Sequence, residues 1–316
     1  MTKLCVVMAT YNGEKYLSQM LDSLANQTRP ADSVIVVDDG STDSTVKTLE
    51  KYTGILPLKI IKFEHNQGHR IAFARALEEA QKTLTENDLI ALADQDDIWL
   101  PEKHELLIKE IERHNVDLVL GDANVIDAEG RKIADSWRTF GNIPEHLSLR
   151  AIMTGFTNVT GCMVIFRVSL LKDILPIPLE APVHDQWITF CASARNGYIS
   201  INHPIIQYRI HDSNVIGLGH SHTWTGNLKL NLRWAKMIRG TRHFLKLKQD
   251  DQKFLNDYIG YVERRLSKIL LPGYLFWILR NTHSLYPHIK KKYALIPRIL
   301  YGIIGAKFAV KLMGRS

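Results

Sequence analysis

Cysteine is scarce. Cys5, Cys162 and Cys191 are the only three in 316 residues, and none forms a CxxC pair. An odd count cannot all pair within the chain, which excludes a disulfide-stapled secreted scaffold and makes a reducing compartment the simple expectation. Long hydrophobic runs are also missing. The apolar run 4–9 is too short for a signal-peptide core and has no cleavage pattern, so it reads as a buried strand. Residues 293–313 are the most apolar late stretch, but Arg298, Lys307 and Lys311 interrupt them. A spanning helix needs about 20 mostly apolar residues, so none is expected here. No glycine-rich phosphate cradle occurs, neither GxGxxG nor GxxxxGK[ST]. Acidic residues are nearly absent from the last third: residues 217–316 hold 19 Lys+Arg against 4 Asp+Glu, a net +15. The first 216 residues hold 21 against 29, a net −8.

What is present is ordinary for a folded chain. Hydrophobic residues make up 45% and charged residues 23%, which excludes dominant disorder. The charge division points to two parts with two jobs, an acidic front and a basic tail. Short apolar, β-branched runs at 4–9, 34–37, 58–63 and 89–93 alternate with helical patterns at 14–26, 43–52, 69–84 and 101–114. Further strands are expected at 117–120 and 162–166, and a helix at 185–196. Such alternation implies an α/β fold whose mainly parallel sheet is covered on both faces.

Ligands of such sheets bind beyond the C-terminal strand ends, and polar clusters follow three of the expected strands. They are Thr10-Tyr11-Asn12-Gly13, Asp38-Asp39-Gly40-Ser41-Thr42-Asp43 and Asp94-Gln95-Asp96-Asp97. One acidic cluster after a strand usually makes a turn or a helix cap. Three at equivalent ends point to a site. Carboxylates repel phosphate, so a phosphate ligand here implies a bridging Mg²⁺ or Mn²⁺, ions that prefer oxygen ligands.

These segments resemble glycosyltransferase family 2, enzymes of the GT-A fold that use nucleotide-diphosphate sugars. The resemblance rests on VVMATYNGEKYL (6–17), VIVVDDGSTDST (34–45), HNQGHRIAFARAL (65–77), LIALADQDDIWLPEK (89–103), NVTGCMVIFRVSLL (158–171), VHDQW (183–187) and QYRIHDSNVIG (207–217). It covers about the first 217 residues in family order, and ADQDDIWLPEK with YRIHDSNVIG looks most like the rhamnosyltransferase-like branch. The implied domains are a GT-A catalytic domain, 1–217, and a basic helical region, 218–316.

The resemblance also implies roles. Ala9, Thr10 and Tyr11 would line the nucleobase and ribose pocket. Asp39 would accept from the base, with Asp38 supporting the turn. Arg70 would approach the pyrophosphate, with a surface arginine as the alternative. Asp94 would contact the ribose, beside Gln95 on the donor side. Asp96 would ligate the metal, with Asp97 orienting it. His211 would be a further metal ligand or a loop anchor, and Arg209 could balance pyrophosphate charge. Asp185 matches the general base, though a helix cap is compatible with that position. The family's preceding acid is replaced by His184, which would tune Asp185 or touch acceptor. Trp187 would be a platform for a sugar face or a core residue. The family often has an asparagine in the 65–77 segment, where this chain has Ala72 or Ala76.

The implied reaction is an inverting, metal-dependent transfer, with L-rhamnose from dTDP-rhamnose as the leading donor. A UDP-hexose or UDP-N-acetylhexosamine is the alternative. Nucleotidyl transfer and a non-catalytic nucleotide-sugar-binding protein are the readings from other classes. The basic tail interleaves cations with Leu, Ile and aromatics, including Lys290-Lys291-Lys292. That pattern favours the inner-membrane surface, on the cytoplasmic side, over plain helical packing or an oligomer contact, and both over nucleic acid. The expected acceptor is a lipid-linked oligosaccharide.

Overall fold

The computed structural model describes residues 2–211, 224–268, 270–289 and 294–305. The expected boundary at 217–218, the Lys290-Lys291-Lys292 cluster and the end of the 293–313 stretch lie outside the described residues. The chain divides into two compact units. The first is Met1–Glu145, Val159–Ile177 and Val183–Val215; the second is His146–Asn158, Pro178–Pro182 and Ile216–Ser316. The second unit therefore takes two segments that the sequence pattern assigns to the first.

The first unit is built on one sheet. Its strands are β1 (Leu4–Thr10), β2 (Ser33–Asp38), β3 (Leu58–Lys62), β4 (Leu89–Ala93), β5 (Ile98–Trp99), β6 (Leu118–Ile126), β7 (Lys132–Ala134), β8 (Val164–Arg167) and β9 (Tyr198–Arg209). The order is β3-β2-β1-β4-β8-β6-β9-β5, with β7 on β6. The β3-β2-β1-β4 half is parallel, as the alternating pattern predicts. The other half is mixed: β8 runs antiparallel to β4 and β6, β9 parallel to β6, and β5 antiparallel to β9.

Burial explains why these runs become strands. Leu4 to Met8 in β1 and Leu89 to Ala93 in β4 are buried at every position. Side chains alternate faces along a strand, so both faces must be covered. Helix Leu17–Ala25 buries Leu17, Met20, Leu21 and Leu24, the i, i+3, i+4, i+7 stripe of an amphipathic helix. β9 is absent from the sequence expectations, and Pro204 is the reason. Proline within a run argues against a central strand unless a bulge absorbs it. Here the β6–β9 register shifts beside the Asp122–Pro204 pair, so the proline sits at an irregularity.

In the second unit, helices Trp224–Gly240 and Gln249–Ser267 pack with the short helix Leu149–Met153. Trp234 donates its indole N–H to Ile152 O at 2.8 Å, and Arg150 pairs with Asp251 at 2.7 Å. Among the described residues, no helix is long and apolar enough to cross a membrane.

Helix His184–Arg195 of the first unit corrects one expectation. Trp187 is 2% exposed, donates its indole N–H to Ile174 O at 2.8 Å and stacks on Phe190. It is a core residue and offers no open face to a sugar. Trp187→Ala is expected to lower the unfolding free energy by about 3–5 kcal/mol, measured by urea denaturation. A surface platform would lose less than ~1 kcal/mol.

Candidate active site

The three strand-end clusters meet. Tyr11 N donates to Gln95 Oε1 at 2.9 Å, and Gln95 Nε2 donates back to Tyr11 O at 3.0 Å. Asn12 N donates to Ser41 Oγ, Thr42 N to Asn12 Oδ1 and Gly13 N to Thr45 Oγ1, at 2.8–2.9 Å. A Cβ at Gly13 would lie 2.3 Å from Gln95 Oε1 and would push that amide off its bonds to Tyr11. Gly40 is required by conformation, with φ +78° and the His65 backbone 2.9 Å from where a Cβ would be.

Asp38 is buried and structural. It accepts from Thr10 Oγ1 at 2.9 Å, Ser41 Oγ at 2.6 Å and Ser41 N at 2.9 Å. Asp39 is buried too, and its two oxygens accept from Gln67 N at 2.7 Å and Gly68 N at 2.8 Å. Each oxygen keeps a second lone pair for a ligand donor. Thr10 is buried, Ala9 half-buried and Tyr11 exposed, so the pocket wall ends on an open ring. Half-buried Arg70 lies in the first turn of helix His69–Gln81, directly after that Asp39-bound glycine.

The Asp94-to-Asp97 loop is held by β9. Arg209 N donates to Asp97 Oδ1 at 3.0 Å, and Arg209 Nε to Asp96 O at 2.8 Å. The guanidinium also reaches Gln19 Oε1, Asp127 O and Ala128 O, and lies 4.5 Å from the Tyr16 ring centroid. Arg209 is therefore buried and committed to protein partners, which corrects its expected role as a pyrophosphate counter-charge. Two residues on, His211 Nε2 lies 2.9 Å from Asp96 Oδ2, with its ring against Tyr16.

Asp185 occupies the first turn of helix His184–Arg195, where the helix dipole favours a carboxylate. It does not cap the helix; Val183 holds that position. Its Oδ2 accepts from Gly161 N at 3.1 Å and its Oδ1 from Gln186 N at 2.6 Å. Burial nonetheless raises its pKa to about 6. Burial, reinforced by the charges of Asp96 and Asp185, pushes Asp94 up to about 7.

Sequence reasoning missed the residue beneath this cluster. Lys103 has no exposed surface, donates from Nζ to Cys162 O at 2.6 Å and lies 3.1 Å from the Trp99 ring centroid. Burial lowers its pKa to about 7, against the pull of Asp97 and Asp94. The neighbouring Gly161 N–H holds Asp185, so one short turn links Lys103 to the expected base. A lysine opening an amphipathic helix normally reads as solvated, and its partners lie dozens of residues away.

Two groups could hold a divalent ion. Asp94, Asp97 and Cys162 have ligand atoms within 4.8 Å of one another. The Cys162 thiol is held protonated by burial, and hard cations take oxygen over neutral sulfur. The partly open Asp96–His211 pair, with side chains 17% and 12% exposed, fits Mg²⁺ or Mn²⁺ better. His184, expected near acceptor, is 6% exposed and stacks on Phe73 at 3.9 Å. Both of its ring nitrogens are buried without hydrogen-bond partners, and burial lowers its pKa to about 3. That enclosure corrects the acceptor-contact expectation.

Folding disfavours ionised Asp94, because its folded-state pKa lies above its unfolded value. The penalty is absent below the ordinary carboxylate range and complete above about 7. Asp94→Asn is therefore expected to raise the melting temperature more at pH 8 than at pH 4.5. Equal shifts at both pH values in thermal melts would contradict the crowded-charge account.

Comparison with known proteins identifies the family and the fold. Residues 5–175 match the family model for Glycosyl transferase family 2. The poly(ribitol-phosphate) β-N-acetylglucosaminyltransferase TarS of Staphylococcus aureus is 33% identical over 211 residues, 64% of this chain and 34% of that protein. An uncharacterized glycosyltransferase of Nostoc sp. is 26% identical over 67% of this chain and 66% of its own length. The chain thus spans less than two thirds of these two relatives. The dTDP-rhamnosyl transferase RfbG of Shigella flexneri is 25% identical over 87% of this chain and 94% of its own. The crystal structure of TarS 1–349 with UDP-GlcNAc superposes with a TM-score of 0.60 at 23% identity, covering 91% of this chain and 79% of that one. This likeness establishes a shared GT-A fold, and the match over 5–175 establishes that the chain belongs to glycosyltransferase family 2.

Proposed function

We propose that the chain is an inverting, metal-dependent glycosyltransferase. It moves a sugar from a nucleotide-diphosphate donor to a hydroxyl of a growing, lipid-linked bacterial surface polysaccharide at the cytoplasmic face of the inner membrane. L-Rhamnose from dTDP-rhamnose is the donor we favour, supported by the near full-length similarity to RfbG. A UDP-N-acetylhexosamine or UDP-hexose is the second reading, favoured by the similarity to TarS.

The observation that carries this reading is Asp185, a carboxylate with pKa about 6 within electrostatic reach of Asp94. A base of that strength is mostly ionised at neutral pH and more basic than an ordinary carboxylate. Each of its oxygens uses one lone pair on a backbone N–H and keeps one for an acceptor hydroxyl. In the proposed step, Asp185 takes the hydroxyl proton while the acceptor oxygen bonds to sugar C1. The C1–O bond to the diphosphate breaks, and its electron pair stays on the β-phosphate. A divalent ion at Asp96 and His211 would supply charge stabilisation to that leaving group. Asp39 and the Tyr11–Gln95 pair form the proposed nucleoside pocket.

Calorimetry with dTDP-, UDP- and GDP-sugars tests the donor. Metal-dependent binding of dTDP-rhamnose, weakened at least ~10-fold by Asp96→Ala, is expected. Selective binding of a UDP-sugar would replace rhamnose and keep the mechanism. Asp185→Asn is expected to lower kcat by about 10²–10⁴ while leaving donor affinity unchanged. A variant that transfers normally would favour the non-catalytic alternative. In the wild type, kcat/KM should fall as pH drops through about 6, where Asp185 becomes protonated.

A further inference from the structure

The second unit carries apolar surface that nothing in the first unit's chemistry uses. Helices Leu275–Arg280 and Leu295–Ile303 pack together near the chain's end. Inward, Ile278 and Gly302 are buried. Outward, Phe276 is 76% exposed, Ile296 60% and Leu300 53%, joined by Leu275 and Leu279. Leu270, 60% exposed, bridges to Ile304 and extends this surface. Leu275, Phe276 and Leu279 share one helix face by their spacing, as do Ile296 and Leu300.

The scaffold behind this face is fixed. Tyr261 donates from its hydroxyl to Gly302 O at 2.8 Å, and Arg265 Nη2 to Tyr301 O at 2.8 Å. Leu271 N donates to Ile303 O at 2.8 Å. Helix Leu295–Ile303 is thereby tied to helix Gln249–Ser267, and Trp277 of helix Leu275–Arg280 packs on Phe254 and Tyr261 of that same helix, so the outward side chains need little ordering on binding.

Charge identifies what covers the face. Glu263 is the last acidic residue of the sequence, and five cations follow it among the described residues: Arg264, Arg265, Lys268, Arg280 and Arg298. Exposed Arg280 and Arg298 lie on the two helices themselves. A second copy docking through the same face would set cations against cations. A polyanion such as nucleic acid would leave the large side chains uncovered. An anionic lipid surface satisfies both features: acyl chains receive the apolar residues while the cations meet headgroups. We infer that Leu275, Phe276, Leu279, Ile296 and Leu300 form an interfacial insertion surface that docks this chain on anionic membranes. This inference deepens the membrane-side position proposed above.

The full chain is tested by co-sedimentation with vesicles of phosphatidylglycerol and phosphatidylethanolamine, against vesicles of phosphatidylcholine alone. At least tenfold stronger partition into the anionic vesicles is expected, reduced at least tenfold again in Phe276→Ser/Leu279→Ser/Ile296→Ser. Equal partition into both vesicle types, or no effect of the triple variant, overturns the inference. A dimer in solution that the triple variant dissolves also overturns it, by assigning the face to a second copy. A second measurement does not depend on the triple variant folding. The native thiols Cys5, Cys162 and Cys191 are all buried. Phe276→Cys can thus be labelled selectively with an environment-sensitive dye, with Ile55→Cys of the first unit as control. A blue shift on anionic vesicles at 276 and none at 55 is expected; no shift at 276 refutes insertion. Donor binding in vesicle-free solution reports on the glycosyltransferase reading separately.

Discussion

Crowded negative charge is the constraint on which this site depends. Asp94, Asp96, Asp97 and Asp185 converge on one end of the sheet; burial raises the pKa of Asp94, Asp97 and Asp185, and repulsion from neighbouring carboxylates adds to it at Asp94 and Asp97. A fold that keeps such a cluster must hold it from several sides. Arg209 fixes the loop through backbone and guanidinium, Lys103 lies beneath it, and a helix N-terminus carries Asp185. Each device leaves part of the negative charge uncompensated. That residue of charge suits a divalent ion and a base stronger than a free carboxylate.

The division of labour among the cations follows from burial. Arg209 is rigid because its donors are matched by carbonyl and amide oxygens. Its fork geometry makes it suited to bridging several segments at once. Lys103 has a single strong acceptor and an aromatic face, and its depressed pKa shows how closely the desolvation cost approaches the benefit of charge. The second unit uses cations in both ways: Arg265 is buried and donates to Tyr301 O, while Arg280 and Arg298 are exposed on helices whose outward apolar side chains are exposed too.

Much of this was legible in the sequence. The parallel half of the sheet follows from apolar runs separated by helical stripes, and the strand-end clusters follow from where those runs stop. Of the mixed half, β6 and β8 match the strands expected at 117–120 and 162–166, whereas β9 was not legible, because it contains a proline that only its pairing with β6 explains. Asp96 and His211 are 115 positions apart, and motif resemblance alone placed them in one site. Lys103, Arg209, His184 and Trp187 show the limit. A charged or aromatic residue looks the same in a string whether solvent or core surrounds it, and the deciding partners are distant in sequence.

The second unit is assembled from three separate stretches of chain. Ile152 and Met153, in the earliest stretch, are buried, and helices Trp224–Gly240 and Gln249–Ser267 pack on theirs. During synthesis those apolar residues emerge long before the helices that cover them. The first unit's segments Val159–Ile177 and Val183–Val215 emerge in between. A cut near residue 217 would leave the early stretch without its cover, so the first unit has no clean excision point in the linear sequence.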